Sequence, residues 1–387
     1  MANGDPIVPA SRRGFERSRP LRVLQVTPRF LPNIGGVESH VYQVSRRLAG
    51  AGVEVTVLTT DVSGRLPARE QIDSVQVQRV RAWPADRDFY FAPDIYRLIR
   101  DGDWDLVHVQ SYHTLVPPLA MLAAWQAHLP YVLTFHGGGH SSPWRNAARV
   151  PQRALLRPLL ARADRLIAVA EFEVRKYSRE LRLPEARFEL IPNGVDLPAV
   201  LRRPAGPLSS SPRIASVGRL ERYKGHHRIL KAMPHILKAE PGTRLWIAGT
   251  GPYEQHLRRL ANDLGVADRV EIRAVPAGNS NGMAQELSQV ALAVLLSEYE
   301  TQPVAILEAL ALGRPVLVAD TSGLSELARR GLARAIPLNS PPESVAAAAV
   351  DQLRNPPQAM PLDWPTWDDC AGRLLALYRS VLGRAPE

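Results

Sequence analysis

Cysteine is nearly absent: Cys370 stands alone in 387 residues. That excludes an internal disulfide and any cysteine-based metal cluster. Long apolar runs are missing too, and none approaches the roughly 20 residues of a membrane-spanning helix. The first twenty residues hold Arg12, Arg13, Arg17 and Arg19 but no apolar stretch. They are expected to form a disordered tail, not a signal peptide. A cytoplasmic location is the default expectation. No G-x-G-x-x-G fingerprint and no P-loop Gly-Lys-Ser/Thr occurs, which weighs against a nicotinamide oxidoreductase. No basic segment is interleaved with aromatics in the manner of a nucleic-acid reader, so nucleic acid is not expected as a partner.

The composition, 45% hydrophobic, is that of a globular protein, and 387 residues suggest about two domains. The net charge is +10. It favours anionic partners such as nucleotide phosphates or an anionic lipid surface. Residues 1–200 hold 26 Lys and Arg against 20 Asp and Glu, so the excess is spread and not gathered in a tail.

Short apolar runs alternate with helical patterns along the chain. The runs 21–27, 53–59, 75–80, 105–110, 131–135, 166–170 and 188–191 read as strands of a first unit. The runs from 214, 244–248, 270–274, 290–296 and 316–319 read as strands of a second. Between the units, Pro198, Pro204, Pro207 and Pro212 with Ser209–Ser211 mark a linker over 198–212. The alternation predicts an α/β protein with two doubly wound parallel sheets and sites at the carboxyl ends of strands. The domains are then 21–197 and 213–367, with a last helix over about 368–384.

Ser297 to Ala319 organises the rest. Glu300 and Glu308 are followed by an apolar helical run, Gly313-Arg314-Pro315 and a strand-like run. The spacing fits an ordinary helix with two solvated glutamates. It also fits a loop that holds Glu300, ahead of a helix opened by Thr301, Gln302, Pro303 and Val304. Its free N–H groups would face an anion, with Glu308 about a turn inside.

Other segments have the same double reading. Gly35-Gly36 lies between a strand and a helix, where backbone can approach a ligand closely or simply turn. His136 ends a strand before three glycines, as a cleft residue or a turn residue. Arg219 and Lys224 are five apart around a turn, and two converging cations suit a diphosphate. Any surface Arg/Lys pair has the same spacing. Asp103-Trp104-Asp105 is a possible cation ligand pair, but both acids start a strand and the bland reading is preferred. Arg145, Arg149, Arg153 and Arg157 recur every four residues, with Pro151 and Pro158 expected to break or kink the segment. A solvated arginine face is preferred over a peripheral membrane helix.

Glu300-x7-Glu308 with Ala309-Leu310-Ala311-Leu312-Gly313-Arg314-Pro315-Val316 resembles the signature of glycosyltransferase family 4, retaining sugar-nucleotide transferases of the GT-B fold. Gly35-Gly36-Val37-Glu38, Thr134-Phe135-His136-Gly137, Pro192-Asn193-Gly194-Val195-Asp196, Gly218-Arg219-Leu220 with Lys224-Gly225, and Gly249-Thr250-Gly251-Pro252 are similar to further family elements. The resemblance covers roughly residues 21–384. Two departures stand out. Thr301-Gln302-Pro303 replaces the family's Gly-Phe-Gly, and Ala277 to Gly282 is an unusual polar insertion.

The resemblance implies a nucleotide-diphosphate sugar as donor, UDP first and GDP next. The acceptor would be a hydroxyl of a sugar, a lipid-linked glycan or a small molecule. Arg219 and Lys224 would neutralise the departing diphosphate, aided by the helix start at 301–304. Glu300 and His136 would hold the donor sugar and Glu308 the ribose. Gly35, Gly36, Gly249, Gly251 and Val275 would lie against the nucleotide. The acceptor would attack from the face the leaving group vacates, with a phosphate oxygen taking its proton. No metal or other cofactor is implied, because the two cations do that electrostatic work. The last helix would return to pack on the first domain. Peripheral contact with an anionic inner membrane face and a monomer or homodimer complete the expectation. A 2-epimerase of the same fold would need acids and bases around the sugar and no acceptor pocket. A non-catalytic nucleotide-sugar-binding subunit would be marked by loss of Arg219, Lys224 or Glu308, and all three are present.

Overall fold

The computed structural model describes residues 19–33, 35–84, 91–137, 143–196, 211–275, 282–357 and 363–383, with 143–150 described by backbone alone. Most of the tail and the 198–212 linker lie outside these residues, as do His140 and most of the polar insertion before Met283.

Two sheets hold the described residues. The first contains β1 (Arg22–Val26), β2 (Glu54–Asp61), β3 (Arg69–Ile72), β4 (Val75–Arg81), β5 (Leu106–Gln110), β6 (Tyr131–Thr134), β7 (Arg165–Ala168) and β8 (Phe188–Leu190). Their order is β3-β4-β2-β1-β5-β6-β7-β8. The second contains β9 (Arg213–Val217), β10 (Arg244–Ala248), β11 (Val270–Ile272), β12 (Leu292–Leu295), β13 (Val316–Ala319) and β14 (Arg334–Ile336), in the order β11-β10-β9-β12-β13-β14. All pairings are parallel except β3 with β4. The expectation of purely parallel sheets is corrected at that edge. β3 reads Arg-Glu-Gln-Ile, too short and polar to show as a strand in sequence.

Central strands are buried along their length because helices cover both faces. In the first sheet, Leu24, Val107 and Leu133 belong to one apolar cluster, whereas Val23, Leu106 and Val132 belong to another. Successive side chains of a strand point to opposite faces, so neighbours in sequence feed different cores. The second sheet divides likewise, with Ile214, Leu245 and Val294 in one cluster and Ala215, Trp246 and Leu295 in the other.

The helices are α1 (Gly36–Gly50), α2 (Asp94–Arg100), α3 (Val116–Gln126), α4 (Pro143–Leu160), α5 (Glu171–Leu181), α6 (His226–Ala239), α7 (Glu254–Asp263), α8 (Gly282–Ser288), α9 (Val304–Ala311), α10 (Ser322–Arg329), α11 (Pro342–Arg354) and α12 (Trp367–Val381). α4 runs through Pro151 and Pro158 as one helix, so neither proline ends it. Its arginines are not a uniformly solvated face. Arg153 pairs with Glu180 at 3.0 Å, and Arg157 Nε donates to the Leu181 carbonyl at 2.7 Å. No helix among the described residues is long and apolar enough to cross a membrane.

α12 crosses back from the second unit and packs on α1. Trp367, Cys370, Leu374, Leu377 and Tyr378 enter the core beneath the first sheet. Thr366 and Asp369 form a capping box at its start, each side chain meeting the other's backbone N–H. Arg47 on α1 pairs with Asp196 and Asp368, fixing the crossing segments side by side.

Because Leu374 is fully buried in the first unit's core, Leu374→Ala is expected to cost about 2–5 kcal/mol. The loss should be local. Hydrogen exchange should speed up in α1 and α12 while α6 keeps its protection, and equal loss in α6 would contradict this division of the core.

Candidate active site

Two loops meet where the strand order of the second sheet reverses. β9 lies between β10 and β12, and parallel α/β sheets bind ligands at the carboxyl end of such a point. The loop after β9 carries Arg219 and Lys224. Its backbone is tied to the loop after β10 by Gly218 N to Ala248 O at 3.0 Å and Leu220 N to Thr250 O at 2.9 Å. Gly249 and Gly251 form that second loop, and a Cβ on Gly251 would lie 2.5 Å from the Leu220 carbonyl oxygen. They therefore permit loop-on-loop packing.

The loop after β12 carries Glu300. Glu298 N donates to Tyr223 O at 2.8 Å, and Glu300 N donates to Ser322 Oγ at 2.8 Å. This stitching brings Lys224 Nζ to 2.6 Å from Glu300 Oε1. The two side chains are only 16% and 9% exposed. Burial pushes the Lys224 ammonium down, but Glu300 and Tyr223 outweigh it and its pKa is raised. Gly225 follows at φ 77°, and a Cβ there would run into the Leu296 carbonyl, so glycine allows the two loops to touch.

α9 begins at Val304, with Pro303 in extended backbone as its cap. This corrects the expected start at Thr301. Among the described residues the N–H groups left open at the helix start are those of Val304 and Ala305, because Ile306 N and Leu307 N already bond to Pro303 O. Thr301 and Gln302 instead reach the first unit. Thr301 Oγ1 donates to Gly137 O at 3.3 Å, and the Gln302 side-chain carbonyl accepts from Asn193 N.

Glu308 sits in the second turn of α9, half-buried. Among the described residues its carboxyl has no hydrogen-bond or ion-pair partner, and burial pushes its pKa up to about 7. Val275 follows β11 and packs, partly buried, against the apolar cluster that holds Trp246 and Leu287.

The first unit faces these loops with two features. Gly35 caps α1 in extended backbone with no side-chain cap, and the Glu38 backbone N–H is taken by its own carboxyl. The Glu38 carboxylate folds back on Gly35, where a Cβ would lie 2.5 Å from Oε2. Burial raises the Glu38 pKa, while Arg219 and Arg29 pull against it. His136 closes β6 with its Nε2 2.7 Å from Gln110 Oε1. Gly137 then touches the second unit: a Cβ there would lie 2.6 Å from Tyr299 Oη, and equally close to Glu173 Oε1 of its own unit.

The structure thus gathers His136, Lys224, Glu300 and the start of α9 around one interdomain cleft. Asp103 and Asp105 lie at the opposite, amino end of β5, engaged by Arg22 and Arg19. Among the described residues no three His, Cys, Asp or Glu cluster as metal ligands. Glu173, Lys176, Tyr299 and Glu326 were not singled out by sequence. Each lies in an ordinary helix turn or loop, and only the folded chain brings them to the cleft.

An unpartnered, half-buried acid gives a pH signature. The Glu308 pKa is raised from 4.5 to about 7, so the folded state holds its proton more tightly than the unfolded chain. Its contribution is full below about pH 4.5 and fades as pH rises through 7. Glu308→Gln should therefore gain about 2 kcal/mol relative to wild type at pH 8 and show no gain at pH 4. Urea titrations at the two pH values measure this, and a pH-independent difference would contradict the burial argument.

Residues 34–198 match the family model described as Glycosyltransferase Family 4, and residues 201–361 match that described as Glycosyl transferases group 1. Glycogen synthase of Mycobacterium tuberculosis is 29% identical over 381 residues, covering 88% of this chain and 87% of that one. A D-inositol 3-phosphate glycosyltransferase of Nocardia farcinica is 28% identical over 362 residues, covering 83% and 78%. The GDP-mannose:cellobiosyl-diphosphopolyprenol alpha-mannosyltransferase of Komagataeibacter xylinus is 26% identical over 401 residues, covering 98% and 97%. Among solved structures, sucrose-phosphate synthase of Thermosynechococcus elongatus superposes with a TM-score of 0.73 at 21% identity, covering 94% of this chain and 99% of that chain. Anabaena HepE in complex with UDP and glucose superposes with a TM-score of 0.70 at 16% identity, covering 94% and 95%. The adjoining family matches and the shared GT-B architecture lead to one conclusion: the chain is a glycosyltransferase and belongs to glycosyltransferase family 4.

Proposed function

We propose that this enzyme transfers a sugar from a nucleotide-diphosphate donor to a hydroxyl acceptor with retention at the anomeric carbon. The observation that carries this reading is the Lys224–Glu300 pair at 2.6 Å, set at the strand-order reversal beside the start of α9. Lys224 and Arg219 neutralise the leaving diphosphate, and the free N–H groups of Val304 and Ala305 add to them. Glu300 accepts from donor-sugar hydroxyls and Glu308 from the ribose. His136 holds the sugar from the other unit, and the Gly35–Gly36 helix start faces the phosphates and the acceptor. The acceptor hydroxyl attacks from the leaving-group side, and a diphosphate oxygen takes its proton.

UDP is the first choice of nucleotide. HepE, solved with UDP and with UDP-glucose, supports it. GDP comes second, supported by the GDP-mannose named for the Komagataeibacter relative. The acceptor is a sugar, lipid-linked or small-molecule hydroxyl.

A thermal-shift panel of UDP, GDP, ADP and TDP sugars tests the donor site. A ligand that binds only the folded state, at a hundredfold excess over Kd, adds about 2.7 kcal/mol. One base class should stabilise the wild type, with or without EDTA, and fail with Lys224→Ala. Proton NMR of the first product formed should show the donor's anomeric configuration. Inversion, or no shift by any nucleotide sugar at millimolar concentration, would refute the reading.

A further inference from the structure

Beneath His136 runs a line of buried polar side chains that the proposed transfer chemistry does not use. His136 Nε2 lies 2.7 Å from Gln110 Oε1. Gln110 Nε2 donates to Gln25 Oε1 at 2.7 Å, and Gln25 Nε2 donates to Tyr378 Oη at 3.1 Å. Tyr378 Oη lies 2.6 Å from His108 Nδ1, and His108 Nε2 lies 2.7 Å from Thr134 Oγ1. Gln25, Gln110, His108, Thr134 and Tyr378 are all 0% exposed. Tyr378 reaches this line from α12, the helix that crosses back from the second unit.

The line has a direction. Each glutamine turns its carbonyl one way and its amide the other. The Gln110 carbonyl can only accept, so His136 Nε2 carries a proton. Tyr378 accepts from Gln25, which leaves its single O–H available to His108 Nδ1; in that arrangement His108 donates from Nε2 to Thr134. Burial first, then His40, His108 and His113, holds His136 well below the ordinary histidine range. It is therefore neutral near pH 7, and its one ring proton is on Nε2. Nδ1 is left as a lone pair with no partner among the described residues.

His40 adds a second acceptor. Its ring meets His136 edge-on, with centroids 4.8 Å apart. His40 Nδ1 lies 2.8 Å from Asn193 Oδ1, an acceptor, so the proton is on Nδ1. His40 Nε2 is buried without a partner among the described residues.

We propose that Tyr378, Gln25 and Gln110 are positioning residues that fix His136 as its Nε2–H tautomer, so that the ring offers the donor sugar an acceptor at Nδ1. This rests on the donor reading above and narrows it. A donor-sugar hydroxyl has a proton to give to such a nitrogen.

Ring-nitrogen NMR of the full chain labelled with 15N-histidine reads the tautomer directly, with His136 assigned by comparison with His136→Ala. The wild type should show protonated Nε2 and unprotonated Nδ1. Tyr378→Phe keeps the ring but can neither accept from Gln25 nor donate to His108. It should mix the two tautomers at His136 and raise KM for the nucleotide-sugar donor about tenfold with a smaller change in kcat. Gln25→Leu breaks the same line and serves if Tyr378→Phe does not fold. A wild-type His136 protonated on Nδ1, or one unchanged in both variants, would overturn the proposal. Failure of any nucleotide sugar to stabilise the wild type would count against the donor reading, while the spectra still decide the relay.

Discussion

The contact between Lys224 and Glu300 decides what the second unit can do. An ammonium and a carboxylate at 16% and 9% exposure lose much of their hydration, and neither is stable there alone. Their backbone settings bring them together: Glu298 N on Tyr223 O, Glu300 N on Ser322 Oγ and Gly225 under Leu296. The pair does not block an incoming diphosphate. A lysine ammonium has three N–H donors, and Glu300 Oε1 takes one. The other two remain for phosphate oxygens, while Glu300 keeps its position for a sugar hydroxyl. Arg219 is exposed by contrast, and its guanidinium donates to Tyr223 Oη at 3.4 Å.

The first unit reaches the same pair through polar contacts. Glu326 on α10 accepts from Glu171 N at 3.3 Å and Phe172 N at 2.6 Å, so a carboxylate of one unit caps a helix of the other. Lys176 Nζ lies 3.2 Å from Tyr299 Oη. Water can replace each of these bonds, as is usual between domains of one chain. The covalent crossings are held differently. Val195 N donates to Pro365 O, Trp364 Nε1 to Asn193 O, and Trp367 N to Asp196, so both passages run together beside a buried apolar helix. Polar contacts at the cleft thus stand beside the Phe172–Tyr299 ring contact, with centroids 5.7 Å apart, and the crossing is held by a core.

The sheets were legible because their central strands are buried on both faces and read as continuous apolar runs. Strand ends moved by a residue or two. β3 was not legible, since an edge strand of four mostly polar residues leaves no periodic trace. At α9 the sequence misplaced the start, because the φ of proline suits a cap as well as a first turn. Pro303 is extended, and Thr301 and Gln302 turn to the other unit. Arg153 read as solvated because its partner Glu180 is on another helix, far along the chain. Tyr378 lies within the expected last helix, and nothing in its spacing foretells a hydroxyl facing His108 and Gln25.

Three acids in the described site region, Glu38, Glu173 and Glu308, have raised pKa values, and partners separate the last two. Glu173 is pushed up to about 8 by burial, against the pull of the Val169 and Gly137 N–H groups. Both its oxygens are engaged, at 3.0 and 3.1 Å, so its place is to anchor the turn that follows His136. Glu308 is pushed up to about 7 by burial with no such donors among the described residues. A half-buried carboxyl without donors costs stability in the free protein, and ribose hydroxyls would supply the missing bonds. The same shift therefore has two meanings: Glu173 belongs to the scaffold, and Glu308 has the open valence that a ligand completes.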